Sequence, residues 1–422
     1  AGEVRSRLVV RDYVSSDSAA CLDLEISGSE LRFAGGLVAA AFWHHQAFDA
    51  KARQFFAHII LVCQDTEKDG AICGVIAVAI KRLRAHGEDA LCGYVFDLRV
   101  DSSYRRQGIG LKLANTAERR AAALGVNYMY LSVNGSNKVA LRLYSRMGFV
   151  HASHRSLIFR PLLLPARTSR RDEERAAPGG GVRKLSGKEA CNLVSSYYAK
   201  RDLGLSRTEF DRLFASPNHL ATFAATDASA DTSDSGVAST AVLVLWNGST
   251  FTGFKVVRFF LPMSVWSRLA PLLPVALMIL LAAELSLFWA GYAATLVSKL
   301  ACGGAASATA ITFGMYLWAS SRTAFRARLC APVVEGPRWE PLMRAVYSAA
   351  YAEARSRGFA AIVINSDKDS PIVRALFGQT TKAKDAVVEA PPAFMQKRLG
   401  IGASCAQPGP LTPDSFFDPR DI

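Results

Sequence analysis

At 422 residues, half of them hydrophobic, the chain is long enough for two or three domains with sizeable cores. Its 50 Lys and Arg against 36 Asp and Glu give a formal charge of +14, which suits acidic ligands, nucleic acid or anionic lipid without choosing among them. Eight cysteines without a C-x-x-C pair argue against a zinc site or a disulfide framework, and so for a reducing compartment. No charged-then-apolar leader is visible from Ala1 onward, so targeting is not readable from this end.

In chain order, the spacing of apolar residues predicts a short strand at Arg7 to Asp12 and a helix at Ser18 to Ile26. His58 to Cys63 and Ile72 to Ile80 read as two strands joined by the turn residues 65–70, a hairpin. Tyr94 to Val100 follows as a strand, then a helix over 108–124, a strand over 127–133, a helix over 137–146 and a last strand near Arg155 to Arg160. Residues 165–184, with an Arg/Glu run and three glycines, read as a linker, and 226–236, rich in Ser, Asp and Ala, as a disordered surface loop. Beyond the linker, a helix at Glu340 to Arg357, a strand at Phe359 to Asn365 and a helix at Pro371 to Phe377 parallel Gly110 to Leu124, Val126 to Asn134 and Lys138 to Tyr144. The second half thus reads as a degraded copy of the first.

The most telling run is Arg105-Arg106-Gln107-Gly108-Ile109-Gly110, between the Tyr94 strand and the 108–124 helix. Glycines let backbone approach a ligand closely, and the free N–H groups and dipole of a helix start attract phosphate. The spacing R-x-x-G-x-G, followed by Asn137-Lys138-Val139-Ala140-Leu141-Arg142-Leu143-Tyr144-Ser145-Arg146-Met147-Gly148-Phe149, resembles the GCN5-related N-acetyltransferases. That resemblance implies an α/β fold with a mixed, mostly antiparallel sheet whose central strands splay apart, helices on both faces, and acetyl-coenzyme A as cosubstrate with no metal. The whole chain also resembles the plant HOOKLESS-type probable N-acetyltransferases, on Leu98-Arg99-Val100 leading to the glycines, Val244 to Asn247, Phe313 to Tyr316 and Ser415 to Asp421. Its implied organisation is a catalytic domain over 1–164, a linker over 165–184, a degenerate acetyltransferase-like domain over 185–400 and a tail over 401–422. In the second domain the corresponding turn is Val334-Glu335-Gly336-Pro337-Arg338, where Pro337 removes a donor that a phosphate cradle needs.

The resemblance assigns roles residue by residue. Main-chain groups of Leu98, Arg99 and Val100 would pair with the pantetheine arm, and Arg105, Arg106, Gln107, Gly108, Ile109 and Gly110 would hold the pyrophosphate. Tyr144 would be the general acid for the departing thiolate, against a plainer reading as a packed helix tyrosine. Asn134 and Asn137 would orient the arm, or act simply as caps. For the base, alternation along the strand puts Phe96, Leu98 and Val100 on one face and Asp97 with Val95 and Arg99 on the other, so Asp97 is the candidate, set against a surface Asp97–Arg99 pair. His44 and His45 are weaker candidates.

The acceptor, an amine of a protein (a histone lysine among the options) or of a small molecule, is expected to be selected by 27–57. Direct nucleic-acid binding is not indicated, and location is nuclear or cytoplasmic by resemblance. Between Arg268 and Lys299 the only charge is Glu284; this apolar insertion, 269–298, is long enough to span a bilayer through 275–297, or else is a buried helix. A binding protein that keeps the fold without turnover, and a membrane-tethered scaffold, remain as alternatives.

Overall fold

The computed structural model describes residues 7–28, 31–33, 38–44, 46–162, 181–227, 238–249, 252–259, 261–262, 326–359, 361–367, 370–377, 387–388, 392–399 and 418. The apolar insertion, the linker core and the 228–237 stretch lie outside the described residues. In chain order the elements are β1 (Leu8–Asp12), α1 (Ser18–Gly28), β2 (Leu31–Phe33), β3 (Val38–His44), β4 (Ala57–Asp65), β5 (Ala71–Ala85), β6 (Glu88–Val100), α2 (Ile109–Ala123), β7 (Tyr128–Asn134), α3 (Lys138–Arg146) and β8 (Val150–Pro161). They continue as β9 (Arg183–Leu185), α4 (Gly187–Tyr198), α5 (Arg207–Ala215), β10 (His219–Asp227), β11 (Ser239–Asn247), β12 (Thr252–Phe259), β13 (Leu261–Pro262), β14 (Arg326–Glu335), α6 (Trp339–Ser356), β15 (Ala361–Asp367), α7 (Pro371–Phe377), β16 (Val387–Val388) and β17 (Pro392–Arg398).

Two compact units result. The larger holds 1–28, 44–251 and 325–422, and the smaller 29–43 and 252–324. The smaller contributes the sheet β13-β12-β3-β2. In the larger unit one sheet runs β1-β4-β5-β6-β7-β17-β8-β15-β14-β11-β10-β9, with β16 beside β8. The predicted hairpin is present: β4 and β5 pair antiparallel from Ala57↔Ile80 to Asp65↔Ala71.

The long run of apolar residues in β5 is explained by burial on both faces. Val75, Ala77, Ala79 and Leu83 join Cys21 and Leu24 of α1 in one core. Ile76, Val78 and Ile80 join Ile109, Leu113 and Ala117 of α2 in another. Helices therefore cover both faces, as the resemblance to the GCN5-related N-acetyltransferases implies.

The two halves of the large unit exchange strands. β17, from the end of the chain, lies between β7 and β8, pairing Pro392 to Arg398 with Asn134 to Tyr128. β8 in turn pairs along β15, Ala361↔Pro161 to Asp367↔Arg155. Lys397 of β17 donates to Glu118 of α2 at 2.6 Å, so the last strand is tied by charge to the first half's helix. Local pattern says nothing about which strand fills a gap, so this exchange is not readable from the sequence.

Candidate functional site

β6 and β7 run parallel and are hydrogen-bonded only from Cys92↔Tyr128 to Val95↔Leu131. Past that point β6 stays with β5 as far as Val100↔Gly74, while Ser132 to Asn134 stay with β17, which flanks the other edge of β7 along its whole length. Phe96 to Val100 and Ser132 to Asn134 thus border a fork in the sheet. The cause lies in β6: its register against β5 shifts between Val75↔Arg99 and Ala77↔Phe96, and Asp97 takes a left-handed φ of 53°. An extra residue in one strand bends it and ends pairing on the far side.

That bulge corrects the face assignment made from alternation. Val95 packs in the α2 core and Phe96 in the α1 core, whereas after the bulge Leu98 and Val100 pack toward α2. Phe96 therefore does not share a face with Leu98 and Val100. Strict period two fails wherever one residue is left over, and sequence pattern carries no sign of it.

β6 leads through a short 3-10 turn, Ser102–Tyr104, to the glycine run. Arg106 and Gly108 both have positive φ, 64° and 76°. Gly108 is the N-cap of α2 and no side chain caps it; a Cβ there would meet nothing within 4 Å. The first helical bond is Lys112 N–H to the Gly108 carbonyl at 2.9 Å, so the N–H groups of Gly108, Ile109, Gly110 and Leu111 have no intrahelical acceptor. Arg105, Arg106 and Gln107 are exposed around this opening. Open space, orphan donors and exposed guanidinium groups together fit a pyrophosphate.

Two anchors that sequence reading did not single out hold this turn. Tyr104 donates its hydroxyl to Asp65 Oδ2 at 2.8 Å, and Arg7 clasps the same carboxylate at 2.9 and 2.7 Å. The Arg7 hydrogen bonds, with that of Tyr104, hold the buried Asp65 carboxyl well below the usual carboxylate range against the opposing effect of burial. Asp101 takes the N–H of Ser103 at 2.8 Å and gives its own to the Cys73 carbonyl at 2.9 Å. An acid in a hairpin turn and a tyrosine 39 residues on share no local pattern.

Tyr144 is the buried residue of α3, edge-on to Phe149 at 5.6 Å. Burial pushes its phenol up to about 12, with the charge of Arg99 opposing, so it stays protonated and able to donate at neutral pH. Asn137 caps α3 by accepting the Ala140 N–H at 3.1 Å, and Asn134 accepts from Ser136 N and Oγ at 2.9 and 2.7 Å. Both side-chain oxygens therefore shape the turn between β7 and α3. At the fork, Asp97 Oδ2 and Arg99 Nε are buried and have no hydrogen-bond partner among the described residues. A buried carboxylate oxygen without a donor is costly, so this point of the fork can accept a hydrogen bond. The side chains of His44 and His45 lie outside what is described. Among the described residues, six cysteines are free and buried.

Residues 32–149 match the family described as acetyltransferase (GNAT). With the forked sheet and the glycine turn at its mouth, the chain carries a GNAT-family domain. It is 25% identical over 217 residues to the acetyl transferase GW6a of Oryza sativa subsp. japonica, covering 49% of this chain and 48% of that protein. Over 75 residues it is 35% identical to the human N-alpha-acetyltransferase 30, covering 18% of this chain and 21% of the relative. The chain thus spans half or less of the curated relatives it matches. In fold it is similar to the Saccharomyces cerevisiae N-myristoyltransferase solved with bound myristoyl-CoA (TM-score 0.53, 12% identity, 99% of this chain and 88% of that one). It is also similar to a GCN5-related glucosamine N-acetyltransferase region of a fungal multi-domain β-N-acetylglucosaminidase (TM-score 0.56, 11% identity, 92% and 38%).

Proposed function

We propose that the chain is an N-acetyltransferase that moves the acetyl group of acetyl-coenzyme A directly to an amine. The observation that carries this reading is the joint presence of the β6–β7 fork, the open glycine turn at its mouth and a buried, protonated tyrosine on α3. The names of the curated relatives, both acetyltransferases, support it.

In this reading the N–H groups of Gly108 to Leu111, with Arg105, Arg106 and Gln107, hold the pyrophosphate. The freed backbone of Leu98, Arg99 and Val100 pairs with the pantetheine arm and polarises the thioester carbonyl. Asp97, short of a donor at the fork, takes the proton of the acceptor amine as its nitrogen attacks, and Tyr144 returns a proton to the departing thiolate. The acceptor class, protein or small molecule, and a nuclear or cytoplasmic place of action belong to this proposal, as does the whole-chain likeness to the HOOKLESS-type proteins.

Incubation with acetyl-coenzyme A and a mixed peptide library, read as free thiol released, tests it. Release that depends on added amine and falls about a hundredfold in Tyr144→Phe supports the reading. A folded protein that binds acetyl-coenzyme A calorimetrically but releases no thiol with any amine would leave the non-catalytic acyl-coenzyme A-binding reading in its place.

A further inference from the structure

Where β1 ends, the edge of the sheet opens into a cavity. The last bond there runs from the Tyr13 N–H to the Ile60 carbonyl of β4 at 3.1 Å, after which the chain turns away through Ser15–Asp17. The far end of α2 supplies another wall. The resulting cavity, of about 500 Å³, is lined by Tyr13, Asp49, Ile59, Ile60, Ala123 and Leu124, with Asp12, Arg120 and His58 beside them. A volume of this size holds a small organic molecule. Since α2 has 15 residues, about 22 Å of helix, the cavity stands a helix length from the glycine turn.

Ile59, Ile60, Ala123 and Leu124 make the lining apolar, and its polar groups are acceptors. Asp49 is 7% exposed. Arg53, 64% exposed, places both Nε and Nη2 on its Oδ2, at 3.0 and 2.5 Å, and Oδ1 has no hydrogen-bond partner among the described residues. A carboxylate accepts up to about four bonds, and the broad last torsion of aspartate lets either oxygen face the cavity. Burial pushes the Tyr13 phenol up, the Ser18 hydroxyl opposes this without meeting hydrogen-bond geometry, and the charge of Asp49 adds to the rise, so the hydroxyl stays protonated beside that carboxylate. Ala123 and Leu124 close α2, which brings the negative end of its dipole to the wall. The guanidinium groups nearby are already held, Arg120 by Asp12 and Arg53 by Asp49. Such a lining favours a cationic N–H donor on an aliphatic stem over an anion. We propose that this cavity is a second ligand site, for a small primary aliphatic amine whose ammonium bonds Asp49 and Tyr13 and whose stem lies against Ile59, Ile60 and Leu124. The site is independent of the acetyltransferase reading.

The test titrates the full chain with a dansyl group on a pentyl stem ending in a primary amine, and with the same probe ending in a hydroxyl, followed by fluorescence anisotropy without acetyl-coenzyme A, so that no amine is consumed. The amine should bind about tenfold or more tightly than the alcohol, the scale of a hydrogen bond to a charged group. Asp49→Asn, of the same shape, should abolish that preference. Leu124→Trp, at a position 55% exposed and so tolerant of a larger ring, should fill the cavity and weaken the amine by a similar factor with the fold intact. Equal binding of the two probes by the parent, or a preference that persists in folded Asp49→Asn, would overturn the proposal. Amine binding unaltered in Leu124→Trp would do the same, because the probe would then sit elsewhere, the fork included; this variant also decides the matter if Asp49→Asn does not fold. Thiol release is read separately: its absence would remove the transferase reading and leave this site standing.

Discussion

The two halves of the large unit repeat one arrangement and differ at the point where chemistry would occur. In the first, β6 and β7 part after Val95, and the turn into α2 is open around Gly108. In the second, β14 and β15 pair in parallel only from Arg326↔Ala361 to Leu329↔Ile364, so a fork forms there too. Its turn, however, is filled from within. A Cβ on Gly336 would stand 2.6 Å from Ser239 Oγ and 2.9 Å from the Ala238 carbonyl, and Ser239 Oγ already accepts the Arg338 N–H at 3.0 Å. Where the first half has Tyr144, the parallel position of the second is Phe377. A fork is a property of the fold; a site requires that its donors be left free.

Four changes sharpen or break that contrast, in falling order of effect. Tyr144→Phe makes the first half resemble the second at this position: turnover should fall by about a hundredfold with cofactor affinity kept, the usual scale for a lost general acid. Single-turnover rates unchanged from the parent would show the phenol to be structural. Gly110→Glu places a carboxylate at the helix start, where a Cβ meets only Leu143 and Val100 at 3.6 and 3.8 Å, so the fold should hold. Clash and like charge against the phosphates should weaken affinity by about tenfold or more, as calorimetry would read it. The same titration should give one coenzyme A per parent chain; two would mean that Ser239 does not close the second turn.

Asp65→Asn should cost about 2 kcal/mol, the worth of hydrogen bonds to a charged group, and loosen the first turn. The native carboxyl lies below its unfolded value, so its contribution is complete above about pH 4 and is lost as the pH falls further. The gap in melting temperature between parent and Asp65→Asn should accordingly narrow on acidification below that point; a constant gap would contradict the ion pair. Smallest is Ser239→Ala, which frees the Arg338 N–H in the second half. About 1 kcal/mol of stability should go, with affinity for coenzyme A unchanged.

Much of this was legible in the chain itself. The order of strands and helices through 161 apart from β2 and β3, the β4–β5 hairpin, the helix starting after Gly108, and α6, β15 and α7 follow from apolar periodicity and glycine placement, which act over a few neighbouring residues. So did the difference at Pro337. The bulge at Asp97 was not legible, since alternation assumes that each residue has one partner across the strand. The clasp of Asp65 on Tyr104 and the filling of the second turn by Ser239 were hidden for a different reason: each joins positions far apart in sequence, and no local pattern marks a partner that only folding brings near.

By itself the sequence determined which segments bury their faces and where the backbone can take left-handed turns, because those depend on side-chain spacing and on glycine. Only the tertiary structure decided which strand lies beside which, and thereby that β17 crosses into the first half, that β6 and β7 separate, and that one of two similar turns stays open. Strand pairing satisfies backbone groups that are alike in every residue, so its choice is made by the packing of the whole sheet rather than by any stretch of it.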